Sequence, residues 1–179
     1  MARNTEAFAE LRRAQELDPL SPMIATFIGK GYYYSGNTRE SIAQDRKVLQ
    51  SSPHFPVAQN SLVETLERAG FFEEALTQMD DTSPPGSQDP NLSALHHAYQ
   101  IAGGHGYLRL DPHGEAGRLS RGSAALYAVL GDRDQAFDIL GRAYDRHELW
   151  LIYLKVDPVW DNLRTDPRFQ PFLHRVGLV

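Results

Sequence analysis

Two different helix-breaking residues recur in this chain at one interval. Pro19 and Pro53 stand 34 residues apart, and so do Gly36 and Gly70. Independent markers that share a period point to an internal repeat. An interval of this size accommodates two helices of about 14 residues with their two turns. The side chains between the markers agree. In "IATFIGKGYYYSG", Ile24, Phe27, Ile28 and Gly31 fall at helical spacing. Gly36-Asn37 then stops the helix, because both residues tolerate the left-handed conformation. "TRESIAQDRKVLQ" resumes a helical pattern through Ile42, Val48 and Leu49, and similar pairs surround Gly70 and Gly131. No Asn-Gly hairpin joins two alternating runs. The pattern predicts an all-α chain of antiparallel helix pairs.

Composition narrows the chemistry. The 179 residues are 41% hydrophobic and 23% charged, with a net charge of -5. Residues 1–89 hold 13 acids and 8 bases, and residues 90–179 hold 10 of each. Neither half has the basic excess that direct nucleic-acid binding uses. Cysteine is absent, which excludes disulfides and thiolate metal sites. The opening "MARNTEAFAE" lacks an apolar leader, and no run approaches the 18 apolar residues of a membrane span. A cytoplasmic location is expected, or a periplasmic one if the parent protein is membrane-tethered.

The pattern resembles the tetratricopeptide repeat, whose signature is Trp-x2-Leu-Gly-x2-Tyr, then Ala-x3-Phe, then Pro. One unit supplies Ile28, Gly29, Tyr32 and Pro53 at those places, with Ala25, Ser41 and Asp45 as departures. The next supplies Leu62, Leu66, Ala75 and Met79, departing at Gln59 and Val63. A later unit supplies Ala124, Tyr127, Ala136 and Leu140. A degenerate unit between them supplies Leu92, Leu95, Tyr99 and Gly103. The resemblance implies a right-handed α-solenoid over residues 1–148: a half repeat at 5–19, then repeats at about 22–55, 56–88, 89–116 and 117–148. The fourth of these five segments is short, because Asp111-Pro112 breaks it. The half repeat, with Ala7, Leu11, Ala14 and Pro19 in second-helix positions, suggests a segment cut from a longer chain. Its helix carries Phe8, Leu11, Ala14 and Leu17 at helical spacing. A bare apolar side there predicts weak self-association into a symmetric dimer.

Near the end, "LIYLKVDPVWDNLRTDPRF" holds two Asp-Pro pairs nine residues apart. Asp is a good N-cap and Pro a good first helical residue, so Asp157-Pro158 and Asp166-Pro167 should each start a short helix. Trp160, Leu163, Phe169, Phe172, Leu173 and Val176 give those helices apolar faces. Residues 149–179 are therefore expected to form a helical cap over the last repeat. The tail resembles the closing segment of repeat regions in bacterial multidomain signalling proteins. There the upstream domain is typically a winged-helix DNA-binding domain, a nucleotide cyclase or a protein kinase. The resemblance implies a C-terminal regulatory module.

In this family the first helices line a concave groove. Carried onto this chain, that implies Met23, Thr26, Phe27, Lys30, Tyr33 and Tyr34 from the first full unit. Asn60, Ser61, Glu64, Glu67 and Arg68 follow from the second, His97 and Gln100 from the degenerate unit, and Arg118 and Arg121 from the last. Tyr, Arg and Met are rich in interfaces, and exposure of Tyr33 or Tyr34 in the groove is expected. The places that clamp a carboxylate in the chaperone-tail subclass hold Thr26 and Lys30 here, so that ligand is not expected. His96, His97, His105 and His113, with Asp111, invite a metal test, but adjacent His96 and His97 point about 100° apart on a helix. "GGHG" at 103–106 lacks the Lys-Ser/Thr and the strand of a phosphate loop and reads as helix termination. "GDRDQAFD" lacks a calcium loop's Gly and distant Glu, and its acids suit a helix N-terminus. No Gly-x-Ser-x-Gly elbow is present; Ser123 lies at a repeat-core position, and Glu73-Glu74 on an exposed helix face. The reading is a non-enzymatic protein- or peptide-binding scaffold with no cofactor and no bound metal. The alternative is a small-molecule or metal sensor that uses the histidine-rich degenerate repeat.

Overall fold

The computed structural model describes residues 2–83, 89–109 and 121–178. Among them every regular element is helical: ten α-helices and short 3-10 turns, with no strand. The chain divides into two compact units, Met1–Ser87 and Gln88–Val179. The segment 149–179 is not set apart, because it shares the core of the second unit.

The first unit holds α1 (Ala2–Leu17), α2 (Pro22–Tyr34), α3 (Thr38–Ser51), α4 (Pro56–Arg68) and α5 (Phe72–Thr82). Each helix packs on the next, and α2 packs on α4 as well as on α3. Ser21 caps α2 by accepting from the Ile24 amide at 3.4 Å, with Pro22 in the first turn. Pro56 opens α4 in the same position. Ile28, Ile42, Val48, Leu62, Leu66, Ala75 and Leu76 are buried. The signature residue Gly29 has a local cause: a Cβ there would stand 2.7 Å from Asp45 Oδ1 on α3. In α1, Phe8, Leu11 and Ala14 are half-buried. The Phe8 ring lies against Gly31 and 5.1 Å from the Tyr32 ring. The stripe thus faces α2, and Leu17 is its one fully bare member.

One closure recurs at five helix ends. The N–H of Asn37 donates to Tyr32 O at 2.9 Å, that of Phe71 to Leu66 O, Asp132 to Tyr127 O, Glu148 to Ala143 O and Leu178 to Leu173 O. This six-to-one bond needs a left-handed residue just before its donor. Glycine supplies it at 36, 70, 131 and 177, with φ near +80°. At the fifth end the residue is His147, with φ 57°.

The second unit holds α6 (Pro90–Arg109), α7 (Arg121–Leu130), α8 (Arg133–Asp145), α9 (Asp161–Arg164) and α10 (Phe169–Val176). Helix α6 is broken at Ala102–Gly103, where Gly103 has φ 57° and ψ -143°, a conformation essentially confined to glycine. Helix termination in "GGHG" is therefore observed. The α7–α8 pair and the tail build one core. Ala124, Ala128, Ala136, Ile139, Leu140 and Ala143 pack with Leu151, Leu154, Trp160, Leu163, Phe169 and Leu173. Asp157 caps a short 3-10 helix as expected, whereas Asp166-Pro167 forms a turn and α10 starts only at Phe169, with Arg168 at its N-cap. The Asp157 carboxylate accepts from the Val159 amide at 3.1 Å, and that of Asp166 accepts from the Arg168 amide at 3.0 Å. Arg168 then chelates Asp166, donates to Asp134 of α8 at 2.7 Å, and lies 4.4 Å over the Phe137 ring. These contacts hold the Asp166 carboxyl down at about 2 and tie the tail to α8.

Candidate functional site

The residues implied for a groove separate on the structure. On α2, Met23 and Phe27 lie one turn apart and remain 40% and 45% exposed. Lys30 and Tyr34 continue that strip, half-buried. On α4, Asn60 is exposed and Glu64 half-buried. Arg68 donates to Glu64, and its guanidinium stacks 5.2 Å from the Tyr33 ring. Of the expected groove residues, the first unit leaves Phe27 and Asn60 exposed and Lys30, Tyr34, Glu64 and Arg68 half-buried, on two helices that pack together.

Four expected groove residues are instead buried. Tyr33 is 5% exposed and Glu67 3%, and Thr26 and Ser61 are covered too. The reason is that α2 packs on α1, α3 and α4. Thr26, Gly29 and Tyr33 form a second inward stripe, at spacings of one and two turns. Thr26 turns its hydroxyl back to Pro22 O at 2.8 Å. Of the two tyrosines expected to be exposed, Tyr34 is half-buried and Tyr33 is buried. His97 and Gln100 are exposed on α6, in the second unit. Arg118 lies outside the described residues. Arg121 opens α7, and its side chain lies outside them as well.

Asp45 is the polar group that sequence reasoning passed over. It occupies the repeat's Phe position on α3 and is fully buried. Neither of its carboxylate oxygens, nor Ser41 Oγ one turn before it, has a hydrogen-bond partner of ordinary geometry among the described residues. Burial pushes the carboxyl up to about 6, while the Ser61 hydroxyl and the Lys30 charge pull it down. The departure from Phe is visible in the sequence, but its burial depends on three helices.

A second feature lies on the other helices of the first unit. Arg46, Leu49, Gln50, His54, Gln78 and Asp81 border an open cleft of about 380 Å³. Its Arg46 is paired with Glu74 at 2.5 Å. The cleft offers hydrogen bonding and shares no residue with the α2–α4 face.

The other motifs have structural roles. Asp132 accepts from the Gln135 amide at 3.2 Å and caps α8. Ser123 is buried, and Glu73 and Glu74 are exposed. His96 is half-buried, and His97 and His105 are exposed. His113 and Asp111 lie outside the described residues. Among the described residues, no three His, Asp or Glu side chains converge as a metal set, and no helix is long and apolar enough to cross a membrane. Compared with models of known families, with characterised proteins and with solved structures, the chain shows no match.

Proposed function

We propose that this chain is a helical-repeat scaffold of the tetratricopeptide type, a right-handed solenoid that binds a protein or peptide segment and performs no chemistry of its own. The observation that carries the reading is the exposed pair Met23 and Phe27 on α2, with Lys30 on the same helix and Asn60 and Glu64 on α4, which packs against it. Apolar anchors flanked by polar hydrogen-bonding groups are the usual make-up of a peptide-binding face. The recurrence of one closure at Gly36, Gly70 and Gly131 supports the repeat. Resemblance of the tail to bacterial signalling proteins supports a regulatory role. The metal-sensor alternative gains no support from the placement of His96, His97 and His105.

The test is selection of peptides from a random library on the immobilised chain, followed by calorimetry. Selected peptides should bind Met23→Ser/Phe27→Ser at least about tenfold more weakly, since two apolar anchors are lost. Equal binding to both proteins would remove the α2 face from consideration. Failure to enrich any peptide would sink the scaffold reading.

A further inference from the structure

Residues 149–156 carry apolar surface that the fold does not use. Leu149–Tyr153 is a 3-10 helix, and the three-residue bonds continue with Leu154 N–H to Leu151 O and Val156 N–H to Tyr153 O. Such a segment has three residues per turn, so its side chains stand in three columns. Leu151, Leu154 and Asp157 form the inner column and are buried. Leu149, Ile152 and Lys155 form the outer column, with Leu149 84% and Ile152 59% exposed. Trp150, Tyr153 and Val156 form the third, half-buried at Trp150 and 58% exposed at Val156. Two columns of an almost wholly apolar segment thus reach solvent. Polar-rimmed apolar surface of this kind marks a contact site.

Charge selects the occupant. Arg142, Arg164 and Arg175 nearby are paired with Asp138, Asp161 and Asp145. Arg146 and Lys155, which bracket the ridge, form no ion pair with any described residue. Glu148 is the one acid between them. Size argues against a second copy, because a stable protein interface uses about 20–30 residues a side and the ridge offers only a few. It suits one face of a short helix, where anchors recur at every turn.

We propose that Leu149 and Ile152, flanked in the sequence by Arg146 and Lys155, form a docking ridge for a short acidic amphipathic peptide segment. The ridge is independent of the α2 face. Its apolar residues would hold the segment's apolar stripe, and the two free cations its flanking carboxylates. Both tryptophans of the chain, Trp150 and Trp160, stack 6.2 Å apart beside the ridge, so intrinsic fluorescence reports on it directly.

The probe is a synthetic helix-forming peptide of about 12 residues with Leu at i, i+3, i+4 and i+7 and Glu elsewhere. It is compared with a counterpart bearing Lys for Glu and with phosphatidylserine vesicles. The Glu peptide should give saturable binding by tryptophan emission and labelled-peptide anisotropy, weakened by salt. The Lys peptide should bind about tenfold more weakly or worse. Leu149→Ser/Ile152→Ser should lose about tenfold or more, and Arg146→Glu/Lys155→Glu should reverse the charge preference. All four positions are exposed, and unchanged melting curves check that these variants fold. Met23→Ser/Phe27→Ser should bind the Glu peptide like the parent chain, so failure of the α2 face and failure of the ridge are distinguishable. No binding of the Glu peptide, equal binding of both peptides, or indifference to the ridge substitutions would overturn the proposal. So would vesicle binding without peptide binding, or self-association of the parent chain that the ridge substitutions abolish.

Discussion

A carboxyl moved from its ordinary 3.8 to about 6 by burial has its ionised form disfavoured by about 3 kcal/mol in the folded state. Asp45 is that group, and the consequence is a stability that falls as pH rises. Between 3.8 and about 6 the folded first unit holds a proton that the unfolded chain has released, so each step up in pH favours unfolding. Above about 6 both states are ionised and the curve is level. Asp166 works in the opposite sense, but its contribution is in place above about pH 5, since its carboxyl sits at about 2 when folded and at 3.8 when unfolded. The window from about pH 5 to 6.5 therefore isolates Asp45 from that pair. Asp45→Asn keeps the shape and polarity and cannot ionise. It should match the parent chain at pH 4 within about 0.5 kcal/mol and exceed it by about 2–3 kcal/mol at pH 7. Urea unfolding at several pH values measures this. Far-UV circular dichroism follows the helices of both units, while fluorescence follows only Trp150 and Trp160, in the second unit. The pH-dependent change should appear in the dichroism. A parent chain level across the window would refute the reasoning, as would an Asn variant that keeps the slope.

Gly29→Ala should destabilise the first unit by about 1–3 kcal/mol, because its Cβ would meet a buried carboxylate held at 2.7 Å; in an Asp45→Ala background most of that loss should vanish in a double-mutant cycle. His147→Gly should stabilise the second unit by about 0.5–1 kcal/mol, since it relieves a left-handed conformation that glycine adopts freely, and a lowered melting temperature would refute this. Trp160→Ala removes the largest fully buried side chain and should cost about 3–5 kcal/mol; an unchanged urea midpoint by circular dichroism would show that the tail contributes nothing to the second core.

Helix ends were the most legible part of this sequence. A glycine that must take positive φ, or an Asp-Pro pair that must cap, acts through bonds to its neighbours in sequence, so Gly36, Gly70, Gly131 and Asp157 could be read locally, while Asp166-Pro167 closes a turn ahead of α10 instead. The inner face of the tail was legible for a related reason: Trp160, Leu163, Phe169 and Phe172 are too large and apolar to be left out of a core. What escaped is whatever depends on a second neighbour. Tyr33 and Phe27 are both aromatic residues on one helix, and nothing local says that α4 covers the first and leaves the second. Asp45 stands out as a departure from Phe, yet its burial follows only from the closeness of Gly29 and Ser61. The exposure of Leu149 and Ile152 also escaped, because the segment Leu149 to Val156 is apolar at every position but Lys155 and its composition does not say which side chains face solvent.

The three-residue columns hold two kinds of apolar residue. Leu151 and Leu154 lose contact with water on folding, and this transfer stabilises the second unit. Leu149 and Ile152 remain mostly in water in the folded state, so most of that gain is absent and polar replacements there would leave the core intact. Stability therefore explains the inner column and does not explain the outer one. The chain enters this segment through His147, the one left-handed closure of the five that lacks glycine. The strain is small beside the burial of Trp160 and Leu163, so the second core can tolerate it while the closure swings 149–156 across α8. In the proposed docking, the buried part of the tail presents Leu149 and Ile152, the part that the fold leaves uncovered.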